Sequence, residues 1–154
     1  METGGEETAN RDQDGRGATT QRLARGAQRY LTNLGAGVVA EFRLPSGRRL
    51  DLLALLPDGR LWGIEVKSGI DDFLADRKWP DYLDWCDALF FCVDPAFPLV
   101  VLPEQAGVMV ADSFDAHMVR EPPAHSLHPS RRKAMTVRFG LVAGRRLQGL
   151  ADPP

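Results

Sequence analysis

Cysteine is scarce in this sequence. Cys86 and Cys92 are the two among 154 residues, and their spacing fits neither a disulfide framework, a redox Cys-x-x-Cys nor a zinc knuckle. As reduced thiols they are small core residues, the usage expected of a cytoplasmic protein. Long apolar runs are also missing. Leu52–Leu56 and Ala88–Val93 are far short of the roughly 20 residues of a membrane span. Met1–Arg16 is polar and acidic, unlike a secretory signal. His117, His125 and His128 follow no ligand spacing, and no Gly-rich phosphate loop of Walker or Rossmann kind occurs.

What is present is an ordinary globular composition, 44% apolar and 26% charged, at one domain's length. The net charge of −2 is unevenly placed: without Met1–Arg16 the rest carries about +1. Arg22, Arg25 and Arg29 fall at helical spacing in a stretch with no acid from Gly17 to Ala40. Ser130–Leu147 holds Arg131, Arg132, Lys133, Arg138, Arg145 and Arg146, again with no acid. Basic faces of this kind suit a polyanion such as DNA.

Apolar periodicity organises the chain as follows. Residues 1–17 have none and read as a disordered acidic tail. Ala18–Leu34 repeats apolar residues at helical spacing and stops at Gly35. Val38–Leu44, Arg49–Leu56 and Leu61–Lys67 read as strands separated by Pro45-Ser46-Gly47 and Pro57-Asp58-Gly59 turns. Asp72–Asp87 is helical in pattern but broken at Pro80. Ala88–Val93 is a strand buried on both faces. Gly107–Ala111 and His117–Arg120 are short strands, Ser130 caps a last helix, Arg131–Leu147, and residues 149–154 fray. The expected fold is α/β, a mixed sheet flanked by helices in the domain 18–148.

Two strands carry ionisable groups inside apolar sequence: Leu50-Asp51-Leu52 and Ile64-Glu65-Val66-Lys67-Ser68. The short turn between them makes them hairpin neighbours, so Asp51 lies beside Glu65. Glu65 and Lys67 share a strand face opposite Trp62, Ile64 and Val66. Two close carboxylates stay ionised cheaply only with a cation, and oxygen ligands suit Mg²⁺ or Mn²⁺. Lys67 then orients or deprotonates a water, or stabilises transition-state charge. Together these groups describe phosphodiester hydrolysis. Ser68 serves either to orient phosphate or water, or to make a turn. Asp71, Asp72 and Asp76 read as helix-start and solvent residues. Trp62 and Trp85 read as core, with Trp79 the surface aromatic.

Asp51, Glu65-Val66-Lys67 and the αβββαβ order resemble the PD-(D/E)xK nuclease superfamily, with its restriction-endonuclease-like fold. More closely, Arg49-Leu50-Asp51, Glu65-Val66-Lys67-Ser68, Asp72-Phe73, Lys78-Trp79-Pro80-Asp81-Tyr82, Leu102-Pro103-Glu104 and Arg131–Phe139 resemble the MmcB family of bacterial DNA repair proteins. The resemblance implies that Asp51, Glu65 and the Val66 carbonyl hold the metal and that Lys67 is the catalytic lysine. It also implies that Lys78 and Tyr82 touch phosphate or the active site. Many superfamily members place a glutamate on the first helix. Gly17–Leu34 has none, and Glu41 is the nearby substitute.

The reading expected from the sequence is a Mg²⁺- or Mn²⁺-dependent deoxyribonuclease of DNA repair, with Arg22, Arg25, Arg29, Lys78, Arg131, Arg132 and Lys133 on DNA. The alternatives are a non-catalytic DNA-binding member of the same fold and a protein-interaction module docking through Phe97, Leu99, Val100 and Leu102. Repair proteins and a second copy of the chain are the further partners considered.

Overall fold

The computed structural model describes residues 4–154, with side chains from Gly15 onward. Helix α1 (Gly4–Asn33) is followed by strands β1 (Gly37–Arg43), β2 (Arg49–Leu55) and β3 (Leu61–Val66). Helix α2 (Ile70–Ala75), a 3-10 segment (Trp79–Trp85) and strand β4 (Ala88–Val93) come next. Strands β5 (Gly107–Ala111) and β6 (Ala116–Arg120) and helix α3 (Pro129–Ala151) complete the chain. The six strands lie side by side in chain order. β1, β2 and β3 form an antiparallel meander, β4 and β5 add parallel to β3, and β6 closes antiparallel. The class is mixed α/β, as expected.

Each face of the sheet carries its own core. α1 lays Leu23, Ala27 and Leu31 on Leu52, Ala54, Trp62, Ile64, Phe90 and Met109. On the other face, Met135 and Phe139 of α3 join Phe73 and Tyr82 over Leu50, Leu53, Leu89, Phe91 and Val93. β4 is covered on both faces, which is why Ala88–Val93 is apolar at every position. Among the described residues no helix is long and apolar enough to cross a membrane.

The helices depart from expectation at their ends. α1 begins at Gly4, so most of the segment expected as a disordered tail is helical backbone; Met1–Thr3 lie outside the described residues. A helix already formed over 18–33 extends cheaply through good formers such as Glu6, Glu7, Ala9 and Arg11. At its other end, Gly35 N–H reaches Thr32 O (2.9 Å) and Ala36 N–H reaches Leu31 O (3.1 Å). This paired closure needs the left-handed Gly35 (φ 86°). α3 continues to Ala151, through residues expected to fray, and is capped by His128 rather than Ser130: the imidazole accepts the Ser130 N–H at 3.2 Å. Pro80 removes a helical N–H and breaks the pattern as expected, and Trp79–Trp85 tightens into a 3-10 segment.

Asp87 ties three segments together at the start of β4. Its carboxylate accepts Leu61 N–H (2.8 Å) and Leu127 N–H (3.1 Å) and pairs with Arg132. Burial opposes the charge, but these donors hold the Asp87 pKa below the usual carboxylate value.

At the other end of the sheet, α1 presses on the β5–β6 turn. A Cβ on Gly26 would lie 2.0 Å from Asp112 O and 2.6 Å from Asp115 O, both backbone atoms. Gly26→Ala is therefore expected to destabilise the protein by at least the ~1–3 kcal/mol typical of overpacking. Chemical denaturation checks this, and an unchanged midpoint would contradict so close an approach.

Candidate functional site

β2 and β3 pair from Leu55↔Leu61 to Leu52↔Ile64, and the next rung would join Asp51 to Glu65. At that position the side chains take over. Glu65 Oε1 accepts the Asp51 N–H at 3.0 Å, and Asp51 Oδ2 accepts the Val66 N–H at 2.7 Å. Each carboxylate thus satisfies the backbone of the opposite strand where the strands part.

A deformation in β1 adjoins this point. Ala40 and Leu52 pair on the α1 side of the sheet, yet Phe42 and Leu50, two residues on, pack on the α3 side. The turnover falls at Glu41, whose φ of 49° is uncommon for a residue with a side chain. The Arg146 guanidinium of α3 donates to the Ala40 carbonyl and, at 2.7 Å, to Glu41 O, holding the kink. Asp51 lies between the rungs Ala40↔Leu52 and Phe42↔Leu50, opposite Glu41, and so sits at the turnover.

Glu65 is 5% exposed and Lys67 6%, so neither occupies the wet face of a strand. Burial, and then the Asp51 charge, pushes the Glu65 carboxyl up to about 8. Burial also raises Asp51, against the hydrogen bond from Val66. Lys67 draws both carboxyls back down. Its ammonium, however, donates to Asp76 Oδ2 at 2.6 Å, with the two side chains 7% and 11% exposed. Asp76 is therefore not the solvent residue expected. Burial opposes its ionisation, but the Lys67 ammonium and the Lys78 N–H hold its pKa low.

The remaining expected residues distribute as follows. Ser68 donates from both N–H (3.0 Å) and Oγ (3.1 Å) to Asp72, which is the turn role. Tyr82 is buried and donates its hydroxyl to Arg49 O at 3.1 Å; burial and the charges of Glu65, Asp76 and Asp51 push it up to about 12. Lys78 is exposed, so the 3-10 segment points it and Tyr82 apart. Glu41 is exposed, with Arg49 at 3.9 Å. Trp79 is half-buried, packing edge-on against Phe91 at 5.8 Å rather than standing free on the surface.

Arg22, Arg25 and Arg29 are exposed on α1. Arg131 instead lies over the Trp85 ring (4.6 Å) and donates to Asp84 O, while Arg132 pairs with Asp87. Both make contacts within the chain at the opposite end of the sheet from Asp51 and Glu65, Arg131 while staying exposed, with Lys133 exposed beside them. The expected apolar docking surface shrinks to Leu99 and Val100, because Phe97 and Leu102 are buried.

Among the described residues no three His, Cys, Asp or Glu side chains gather as a metal cluster. Two carboxylates nevertheless fit a Mg²⁺-like ion, which commonly takes one or two and keeps its waters. Asp51 Oδ1 and Glu65 Oε2 carry no hydrogen bond among the described residues, which leaves one oxygen of each carboxylate uncommitted.

The architecture defines a mixed α/β protein with an acidic pair and a buried lysine at the end of its central strand. A family model described as DNA repair protein MmcB-like matches residues 8–154, and the chain belongs to that family. Among solved structures, a protein of unknown function from Silicibacter pomeroyi is 47% identical, covering 87% of this chain and 92% of its own, with a TM-score of 0.83. No curated protein matches the sequence.

The raised carboxyls set a pH dependence. Between about pH 4.5 and pH 8 the folded protein keeps a proton that the unfolded chain has lost, so stability falls as pH rises through that window. Thermal melts in EDTA are expected to show this fall. Glu65→Gln keeps the acceptor for Asp51 N–H and should flatten it. Equal slopes in the two proteins would mean that Glu65 is not protonated at neutral pH.

Proposed function

We propose that the protein is a Mg²⁺- or Mn²⁺-dependent deoxyribonuclease of DNA repair on a restriction-endonuclease-like, PD-(D/E)xK-type fold. The observation that carries this reading is the meeting of Asp51 and Glu65 at the parting of β2 and β3, with Lys67 buried two residues beyond Glu65. The family's description as DNA repair proteins supports the substrate. The β1–β2–β3 meander with β4 parallel to β3 is consistent with the αβββαβ core.

In this reading Asp51 and Glu65, with the Val66 carbonyl, hold the cation. When bound, it supplies charge to the scissile phosphate and acidifies a water. The chain's own groups do the rest. Burial keeps Glu65 poised to exchange its proton for the cation near neutral pH. Lys67, two residues beyond Glu65, would donate to phosphate or orient water. Asp76 sets where the ammonium sits. Tyr82 braces β2 through Arg49 O and keeps its proton. Arg22, Arg25 and Arg29 of α1, with Lys78, contact backbone phosphates.

A second reading is a non-catalytic DNA-binding member of the family. It is favoured by the Lys67–Asp76 pair, which satisfies the lysine internally, and by the lack of a third carboxylate among the described residues. A protein-interaction role in a repair complex has only Leu99 and Val100 of its expected surface left.

Cleavage of single-stranded, nicked and branched DNA with Mg²⁺ or Mn²⁺ tests the first reading. Glu65→Ala and Lys67→Ala are each expected to lower the rate at least ~100-fold, the scale of general acid–base and metal effects, with binding retained. Activity unchanged in both variants would remove the nuclease reading.

A further inference from the structure

The parallel strands β3, β4 and β5 end together: Val66 pairs with Cys92, and Val93 with Val110. The turn after β5, Asp112–Asp115, therefore lies on the same end of the sheet as Glu65 and Lys67, with β5 itself two strand spacings, about 10 Å, from β3. This turn carries Phe114, 68% exposed, an unusual place for a large aromatic side chain.

The turn is rigid. Asp112 Oδ1 accepts the N–H of Phe114 (2.7 Å) and of Asp115 (2.9 Å), and Asp115 Oδ1 accepts the Ala116 N–H (2.8 Å). One oxygen of each carboxylate is thus committed to the loop's own backbone. Gly26 lets α1 touch the turn's carbonyls directly. The same helix brings the Arg25 guanidinium over the Phe114 ring, 5.9 Å from its centroid. Arg22 and Arg29 stand one turn to either side, and no acid occurs on α1 from Gly17 onward.

An exposed ring on a fixed turn, backed by a row of guanidinium groups, has the elements of single-strand recognition. The π-face takes a base without regard to its identity, and the cations take the flanking phosphates. A duplex keeps its bases stacked and offers the ring nothing. We propose that Phe114 and Arg25 form a stacking shelf for single-stranded DNA on the α1 side of the sheet end that also holds the carboxylates. This rests on the DNA reading above and adds the form of DNA held.

The test is anisotropy of labelled oligothymidylate, and of a duplex of equal length, with the full chain in EDTA. Phe114→Ala is expected to weaken single-strand binding about 5- to 100-fold with the salt slope unchanged, because no phosphate contact is lost. Phe114→Tyr restores affinity, and Phe114→Ala changes duplex binding less than about twofold. Arg25→Ala weakens binding and lowers the salt slope by about one. The shelf is overturned if Phe114→Ala binds the oligonucleotide like the parent, or loses duplex and single strand equally. It is also overturned if Phe114→Ala loses only self-association on sedimentation, which assigns the ring to a second copy of the chain. Cleavage and metal play no part in this measurement. A Phe114 effect in a protein that never cuts DNA removes the nuclease reading alone; cleavage with an inert Phe114 removes the shelf alone.

Discussion

The site depends on one exchange: Glu65 takes the N–H of Asp51, and Asp51 takes the N–H of Val66, where the β2–β3 ladder would have continued. Two backbone donors that would otherwise face a widening gap are satisfied by acceptors that carry charge. The same bonds fix both carboxyls in orientation. The cost is that two like groups are buried together, which lifts their pKa values and makes the pair receptive to a proton or a cation. Stability of the strand ends and chemical readiness therefore come from the same four atoms.

Cationic groups divide by task. On α3, Arg132, Arg138 and Arg146 donate to Asp87, Arg43 O and the Ala40–Glu41 carbonyls, so they fasten the helix to the sheet. On α1 the exposed guanidiniums of Arg22, Arg25 and Arg29 line the helix, and its Gly26 meets the sheet end that also holds the carboxylates. A count of arginines treats the two helices alike. Their partners distinguish them, and those partners lie far away in sequence.

This is the limit of what the sequence makes legible. β4 and β5 have the expected bounds because an unbroken apolar run and a short alternating run report burial directly. Asp51, Glu65 and Lys67 stand out because charge inside a Leu-rich strand is locally anomalous, and the Pro57-Asp58-Gly59 turn fixes their proximity. Asp76 looks like an ordinary acid after a short helix, and only the fold brings it to Lys67. The strained Glu41 and its Arg146 clamp span 105 residues and leave no local trace. Phe114 reads as one apolar residue in a polar turn. Its meaning comes from α1, which crosses it from the opposite end of the chain.

Asp87 has a kinetic consequence. Its partners Leu61, Leu127 and Arg132 lie 26, 40 and 45 residues away along the chain. Contacts of that span are slow to close, and two of the three need residues made late in synthesis. A nascent chain that already holds the strands from β1 to β6 still carries this carboxylate without its arginine. Helix α3, which follows β6 in the chain, therefore neutralises a charge enclosed at the foot of the sheet, and its docking latches together strands laid down before it.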